Sequence, residues 1–348
     1  MKIRTKVLRL PIIQGGMGVG VSLSGLAGHV ASCGAMGTIS SVNAGYADGE
    51  FLTNPVKANL KALAGEIHKA KEIAGGNGLV AVNIMTAVSH YEETCRCAVE
   101  AGADAIISGA GLPLTLPEYT RGSDTLCAPI VSSGRAARLL IRHYRKHYDC
   151  LPDFLVIEGS RAGGHLGFSA EELEDHTAKT NEEILWDVLA EAGDIPVFVA
   201  GGVFDGADMA RMIGLGAAGV QIATRFIATD ECDASDVFKQ MIVHAKEEDI
   251  RIIKSPVGMP ARAIDSPLLK RLDAGETFPP LRCSGCLTAC PRNASIPYCI
   301  SRALIEAVKG NPEDGLFFAG SNAGRVDRIV PVRELIDEIM KEYEENRR

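Results

Sequence analysis

Aromatic residues make up only 5% of the 348 positions, and no apolar run approaches the roughly 18 residues that a membrane-crossing helix needs. Positive charge is also in short supply. Lys and Arg number 36 against 44 Asp and Glu, a formal charge of −8, and no long basic run occurs. This balance argues against a dedicated nucleic-acid or anionic-membrane partner. The basic start Met1-Lys2-Ile3-Arg4 runs into Pro11, Gln14 and Gly15 before any signal-peptide core forms, so a cytoplasmic location is expected. There is no low-complexity tract and no repeat beyond an alternation of short apolar runs with helical segments.

What is present is a large core and many tight turns. Hydrophobic residues reach 46% with 23% charged, and glycine occupies 37 positions, enough for close approaches of backbone to a ligand. The length suits two domains, or one α/β barrel with additions. Ten cysteines are unusual. Six are scattered at 33, 95, 97, 127, 150 and 232, whereas Cys283, Cys286, Cys290 and Cys299 cluster. In a reducing compartment such clustering points to metal rather than disulfides.

Short apolar runs closed by Gly, Ser or Asn recur at 11–14, 36–39, 79–84, 103–107, 129–132, 154–158, 196–200 and 219–222. Their apolarity is continuous, as strands buried on both faces require, and segments such as 181–192 and 205–213 between them carry helical periodicity. Eight such units predict a TIM (β/α)8 barrel; an open doubly wound sheet is the competitor. The long connections 40–55 and 159–180 would then lie at the C-terminal face, where barrel sites are built. The expected organisation is a barrel over residues 1–261, with a Cys-rich segment and C-terminal helices over 262–348 packed on it. The last helix offers Val332, Leu335, Ile336, Ile339, Met340 and Tyr343 as its docking face.

Glycine turns sit where a barrel would bind a ligand. The first strand runs into Gly15-Gly16-Met17-Gly18, whose bare backbone and soft thioether suit a flat ring. Gly201-Gly202 follow strand seven and Ala223-Thr224 follow strand eight, a pairing suited to cradling a phosphate. After strand six comes Glu158-Gly159-Ser160-Arg161-Ala162-Gly163-Gly164-His165. A histidine among glycines at the end of a barrel strand is placed to meet substrate and exchange a proton.

Pro11-Ile12-Ile13-Gln14-Gly15-Gly16-Met17, Asn83, Ser108-Gly109-Ala110-Gly111-Leu112-Pro113, Ala162-Gly163-Gly164-His165-Leu166-Gly167, Ala200-Gly201-Gly202-Val203 and Gln221-Ile222-Ala223-Thr224-Arg225-Phe226 together resemble the nitronate monooxygenase family. That family includes the FMN-dependent enoyl-acyl-carrier-protein reductase II, and the resemblance runs from about residue 10 to 272 and resumes at 318–330. It implies a TIM barrel binding FMN non-covalently. Gly16, Met17, Asn83 and Gly109 would lie along the isoalloxazine, while Gly163, Gly164, Gly201, Gly202, Ala223 and Thr224 would hold the phosphate end. His165 matches the family's catalytic histidine, and Arg262 matches a recurrent arginine, although a surface ion pair explains that residue nearly as well. Glu158 leans towards the enoyl-reductase branch and could accept a hydrogen bond near the flavin.

Cys283-Ser284-Gly285-Cys286-Leu287-Thr288-Ala289-Cys290-Pro291 with Cys299 departs from the pattern of the best-known members. CxxC and CxxxCP spacings match all-cysteine ligation of a [4Fe-4S] cluster; a zinc ion is the alternative, and disulfides or free thiols are the third. Cys95 and Cys97 point to different faces of a helix, and His143 and His147 sit on a charged helix face, so neither pair reads as a site. The leading expectation is nitronate oxidation through reduced flavin and O2. The alternatives are enoyl-thioester reduction, with NAD(P)H as a candidate co-substrate, or a related anaerobic flavin and iron–sulfur reductase of an activated C=C bond. The expected partners are a small-molecule or acyl-thioester substrate, with a homodimer as the candidate assembly. A non-catalytic flavin- or metal-binding protein is the competing class, and His165 among permissive glycines counts against it.

Overall fold

Each of the eight apolar runs becomes one strand of a closed parallel barrel in the computed structural model, which describes residues 1–280, 282–290 and 296–347. The strands are β1 (Ile12–Gln14), β2 (Met36–Ser40), β3 (Leu79–Met85), β4 (Ala105–Gly109), β5 (Leu126–Val131), β6 (Leu155–Glu158), β7 (Val197–Ala200) and β8 (Gly219–Ile222). They pair in sequence order, and Val220 of β8 registers with Ile12 of β1 to close the ring. The open-sheet alternative is thereby excluded.

The apolar runs are continuous because every strand is covered twice. Ile13, Met36, Leu79, Ala81, Ile107, Phe154, Val156 and Phe198 fill the barrel interior, while their sequence neighbours, such as Ile12, Ile39, Val80, Val82, Leu155 and Val199, face the surrounding helices. Phe154 and Phe198 meet edge to face, with ring centroids 5.4 Å apart. One strand starts earlier than the sequence implies. β5 begins at Leu126 and passes through Pro129 in register with Ser108, so the proline lies inside the strand rather than opening it.

Local signals set the helices. Asn181–Ala192 opens with a capping box formed by Thr180 and Glu183, and buries Ile184, Leu185 and Val188 on one face. The C-terminal helix Val332–Asn346 buries Val332, Leu335, Ile336 and Ile339, with Met340 and Tyr343 half-buried beside them. It docks on the helix Gly206–Gly214, where the Gly206 N–H donates to the Glu342 carboxylate at 2.8 Å. No helix among the described residues is long and apolar enough to cross a membrane.

A second, three-stranded sheet lies over the mouth. Strands β9 (Ile250–Lys254) and β10 (Pro260–Ile264) form an antiparallel hairpin, and the two-residue strand Gly164–His165 adds to the β10 edge. Of the two long connections, the one after β6 contains this strand and the helix Ala170–Glu174, and the one after β2 runs through turns to the helix Pro55–Ala74.

Candidate active site

The end of β6 and the chain beyond it deliver the titratable groups. A histidine on a free glycine loop would sample many directions, but His165 is registered with Ala261 in the second sheet, which restricts its backbone. Its Nε2 lies 2.8 Å from the hydroxyl of Ser255 in the β9–β10 turn. The ring meets Phe318 edge to face, with centroids 5.4 Å apart. Burial pushes the imidazole down to about 4, so it is neutral at pH 7. The Ser255 hydroxyl accepts the Val257 N–H at 3.4 Å. With two lone pairs and one proton, that hydroxyl can serve Nε2 as donor or as acceptor. The other ring nitrogen, Nδ1, has no hydrogen-bond partner among the described residues.

Arg262 does not make a surface ion pair. Its Nη1 donates to the carbonyls of Ser160 at 2.7 Å and Ala162 at 2.6 Å, so it clamps the segment leading into His165. Glu158 follows Phe154 and Val156 on the interior face of β6. Burial alone pushes its carboxyl up to about 7.

The residues expected along the ring lie together at the ends of β1 to β4. Gly16 sits against Asn83 and Thr38: a Cβ there would stand 2.4 Å from the Asn83 Cβ. Asn83 donates to the Ile107 carbonyl at 3.3 Å, and Gly109 ends β4 in register with Met85. Met17 is half-buried at the same mouth. The Thr38 hydroxyl is buried without a partner.

The residues expected at the phosphate end gather at the mouth of β6 to β8. Gly201 and Gly202 adopt φ of +86° and +90°, which side-chain-bearing residues rarely reach. At Gly163 a Cβ would stand 2.5 Å from the Ala319 carbonyl carbon, so the segment 318–322 is threaded directly over it. The Thr224 hydroxyl accepts the Gly320 N–H at 2.9 Å, leaving its proton for an anion. The Asn322 amide nitrogen is buried without a partner in the same segment. Bare backbone and a hydroxyl proton at one end, with glycine backbone and an orphaned hydroxyl at the other, fit a phosphorylated flavin.

Residues 1–342 match the family model described as nitronate monooxygenase. The chain belongs to the nitronate monooxygenase family. A probable nitronate monooxygenase of Staphylococcus saprophyticus is 26% identical over 78% of this chain and 82% of its own. The (3aS,4S,5R,7aS)-5-hydroxy-7a-methyl-1-oxo-octahydro-1H-indene-4-carboxyl-CoA dehydrogenase of Mycobacterium tuberculosis is 26% identical over 98% of this chain and 96% of its own. Among solved structures, FabK from Thermotoga maritima superposes with a TM-score of 0.73 at 27% identity, covering 97% of this chain and 94% of that one. Members of this family are flavin-dependent oxidoreductases acting on small molecules, FMN is their typical cofactor, and this chain is such an enzyme.

The four clustered cysteines line one cavity between the β9–β10 turn and the start of the helix Ile300–Val308. Cys283 is exposed and the other three are half-buried. The Ser301 hydroxyl donates to the Cys286 sulfur at 3.0 Å, and the N–H groups of Ser301 and Arg302 face the Cys299 sulfur. Among the described residues, no three His, Cys, Asp or Glu side chains converge as ligands of one metal ion. Pro291, part of the CxxxCP spacing, lies outside the described residues. Of the remaining candidates, Cys95 is fully buried with its thiol pushed up to about 12, and His143 and His147 stack at 4.4 Å on an outer helix face.

Ser255 was not singled out by sequence, whereas Phe318 and Asn322 lie in the stretch 318–330 where the resemblance resumes. No motif marks Ser255; only the antiparallel pairing of β10 with Gly164–His165 brings it to the histidine.

Proposed function

We propose that this enzyme oxidises an alkyl nitronate, binding the nitronate oxygens at His165. One observation carries the reading. The imidazole is neutral, its Nε2 is engaged by Ser255, and its Nδ1 has no hydrogen-bond partner among the described residues. A ring so anchored, with its proton on Nδ1 when Ser255 donates to Nε2, suits an anionic oxygen beside the reacting carbon, because it costs little reorganisation when charge shifts. FMN, held by the residues named above, supplies the two-way electron chemistry. The protein's part is orientation: bare backbone at Gly16 packs on Asn83 at the ends of β1 and β3, and Phe318 sets an aromatic edge against the His165 ring.

Reduction of an enoyl thioester is the second reading, and Glu158 favours it. Saturating a C=C bond needs a proton as well as a hydride, and a carboxyl near pH 7 can give one. Nitronate oxidation has no such need. Anaerobic stopped-flow spectroscopy separates the two. Bleaching of the flavin by ethylnitronate but not by NADH supports the first reading; rapid bleaching by NADH with reoxidation by an enoyl thioester replaces it with the second.

We further infer that Cys283, Cys286, Cys290 and Cys299 hold a four-thiolate centre. Around a single zinc ion the sulfurs would stand about 3.8 Å apart, given Zn–S bonds of about 2.3 Å. A cubane places iron and sulfide between its thiolates and keeps them farther apart. Four cysteines lining one cavity supply the thiolates that a [4Fe-4S] cluster needs, and the CxxC and CxxxCP spacing is the ground for placing it ahead of zinc. Iron and acid-labile sulfide, measured on anaerobically purified protein, test this; four zinc-free, iron-free titratable thiols would remove it.

A further inference from the structure

The cysteine cavity and the active-site histidine share a wall. Pro256 and Val257 line the cavity alongside the four cysteines. The residue before them, Ser255, is 2% exposed and holds His165 Nε2 at 2.8 Å. These residues form one rigid turn: the Ser255 N–H donates to the Met259 carbonyl at 3.0 Å, the Gly258 N–H donates to the Ser255 carbonyl at 3.0 Å, and the Val257 N–H donates to the Ser255 hydroxyl. A turn tied in three places moves as a unit, so displacement of Pro256 and Val257 is passed to the Ser255 hydroxyl.

The cysteine segment is also tied to the flavin side of the mouth. The Ser89 N–H donates to the Cys286 carbonyl, and the Thr288 N–H to the Ala87 carbonyl, both at 3.1 Å, just beyond β3. Buried Asn43, beyond β2, donates to the Ser301 hydroxyl at 3.0 Å, which in turn donates to the Cys286 sulfur. The segment therefore bridges two sides of the mouth, the loops after β2 and β3 on one side and the His165 wall on the other.

We propose that the centre held by the four cysteines positions His165 through the Ser255–Met259 turn, so that metal occupancy and anion binding at His165 are thermodynamically coupled. Ser255 is the positioning residue of this coupling. The proposal rests on the four-thiolate reading above. Without metal, four thiols have no reason to hold one arrangement, and the cavity wall loses its backing; with metal, the wall and the orientation of the His165 ring are both fixed. Linkage makes the effect reciprocal: an anion on His165 tightens metal binding by the same factor.

The test uses the FMN-loaded full chain and nitrate, a planar oxyanion shaped like the nitro end of a nitronate, titrated by the flavin difference spectrum without turnover. Metal is removed anaerobically with a chelator and restored in two arms, ferrous iron with sulfide or zinc(II). Stripping should weaken nitrate binding about five- to a hundredfold, and reconstitution should reverse the loss. Ser255→Ala in the loaded protein should weaken nitrate similarly and keep its metal, and stripping that variant should add little, because both changes break one link. If stripping leaves nitrate affinity unchanged while metal analysis shows a bound centre, the coupling is wrong and the four-thiolate reading stands. A chain that binds neither metal in either arm sinks both. A loaded flavin spectrum that nitrate does not move also overturns the coupling. Should stripping unfold the chain, metal-loaded Pro256→Gly carries the test: weaker nitrate binding with metal retained supports the proposal, and unchanged binding refutes it.

Discussion

The imidazole Nε2 of His165 lies 2.8 Å from the hydroxyl of Ser255, ninety residues further along the chain. This bond gives the two ring nitrogens different surroundings: Nε2 is anchored, and Nδ1 has no hydrogen-bond partner among the described residues. Replacing His165 with Ala should lower turnover about 10²- to 10⁴-fold while FMN content stays that of the parent. Flavin absorbance after gel filtration, read beside turnover, checks this; equal turnover in the variant would remove His165 from the chemistry. Because burial holds the imidazole near 4, the parent's rate should show no inflection near pH 6.5 attributable to this residue.

Glu158 should govern the neutral range instead. Its folded pKa of about 7 exceeds the ordinary carboxylate value of 4.5, so the folded chain keeps the proton longer than the unfolded one. The associated stability is complete below about pH 4.5 and is lost as pH rises through 7, by up to about 3 kcal/mol. Glu158→Gln should lack that fall, and urea midpoints at pH 5 and pH 8 measure the difference. In activity assays, a reductase rate that declines above pH 7 in the parent and is low at all pH in the variant supports proton delivery by Glu158; nitronate oxidation should be insensitive to the change.

Gly163→Ala brings a methyl group to 2.5 Å from the Ala319 carbonyl carbon. The chain at 318–322 must move, at a cost of about 1–3 kcal/mol. FMN should bind about tenfold more weakly as the Thr224 and Gly320 contact opens, and fluorescence titration of the apoprotein with FMN tests this. Unchanged affinity would mean the segment is no part of the phosphate end.

Arg262→Ala removes two charge-assisted bonds to the Ser160 and Ala162 carbonyls. About 2–3 kcal/mol of local stability should go with them. Faster amide exchange at residues 159–165, with a raised KM and little change in overall melting, is the expected pattern. If Arg262→Ala left that exchange unaltered, the clamp would be unimportant.

The sequence by itself determined the alternation of buried parallel strands with helices. Continuous runs such as Val80–Ile84 and Leu155–Ile157 are stable only as strands covered on both faces, and eight of them with helical spacers point to a barrel, but only the pairing of Val220 with Ile12 closed it and excluded the open sheet. The glycine turns at Gly16, Gly201 and Gly202 were legible for a similar local reason: each answers a backbone constraint that no other residue meets. His165 stood out because flanking glycines give a histidine little to pack against. The environment of that histidine was not legible. Its neutrality and its Ser255 anchor arise from a hairpin that folds back from residues 250–264, a pairing between distant segments that carries no local signal. Arg262 shows the same limit, since an arginine's partners depend on which carbonyls the tertiary fold brings within reach. Likewise, spacing grouped the four cysteines in the chain, but only the packed structure put Pro256 and Val257 between them and the active site.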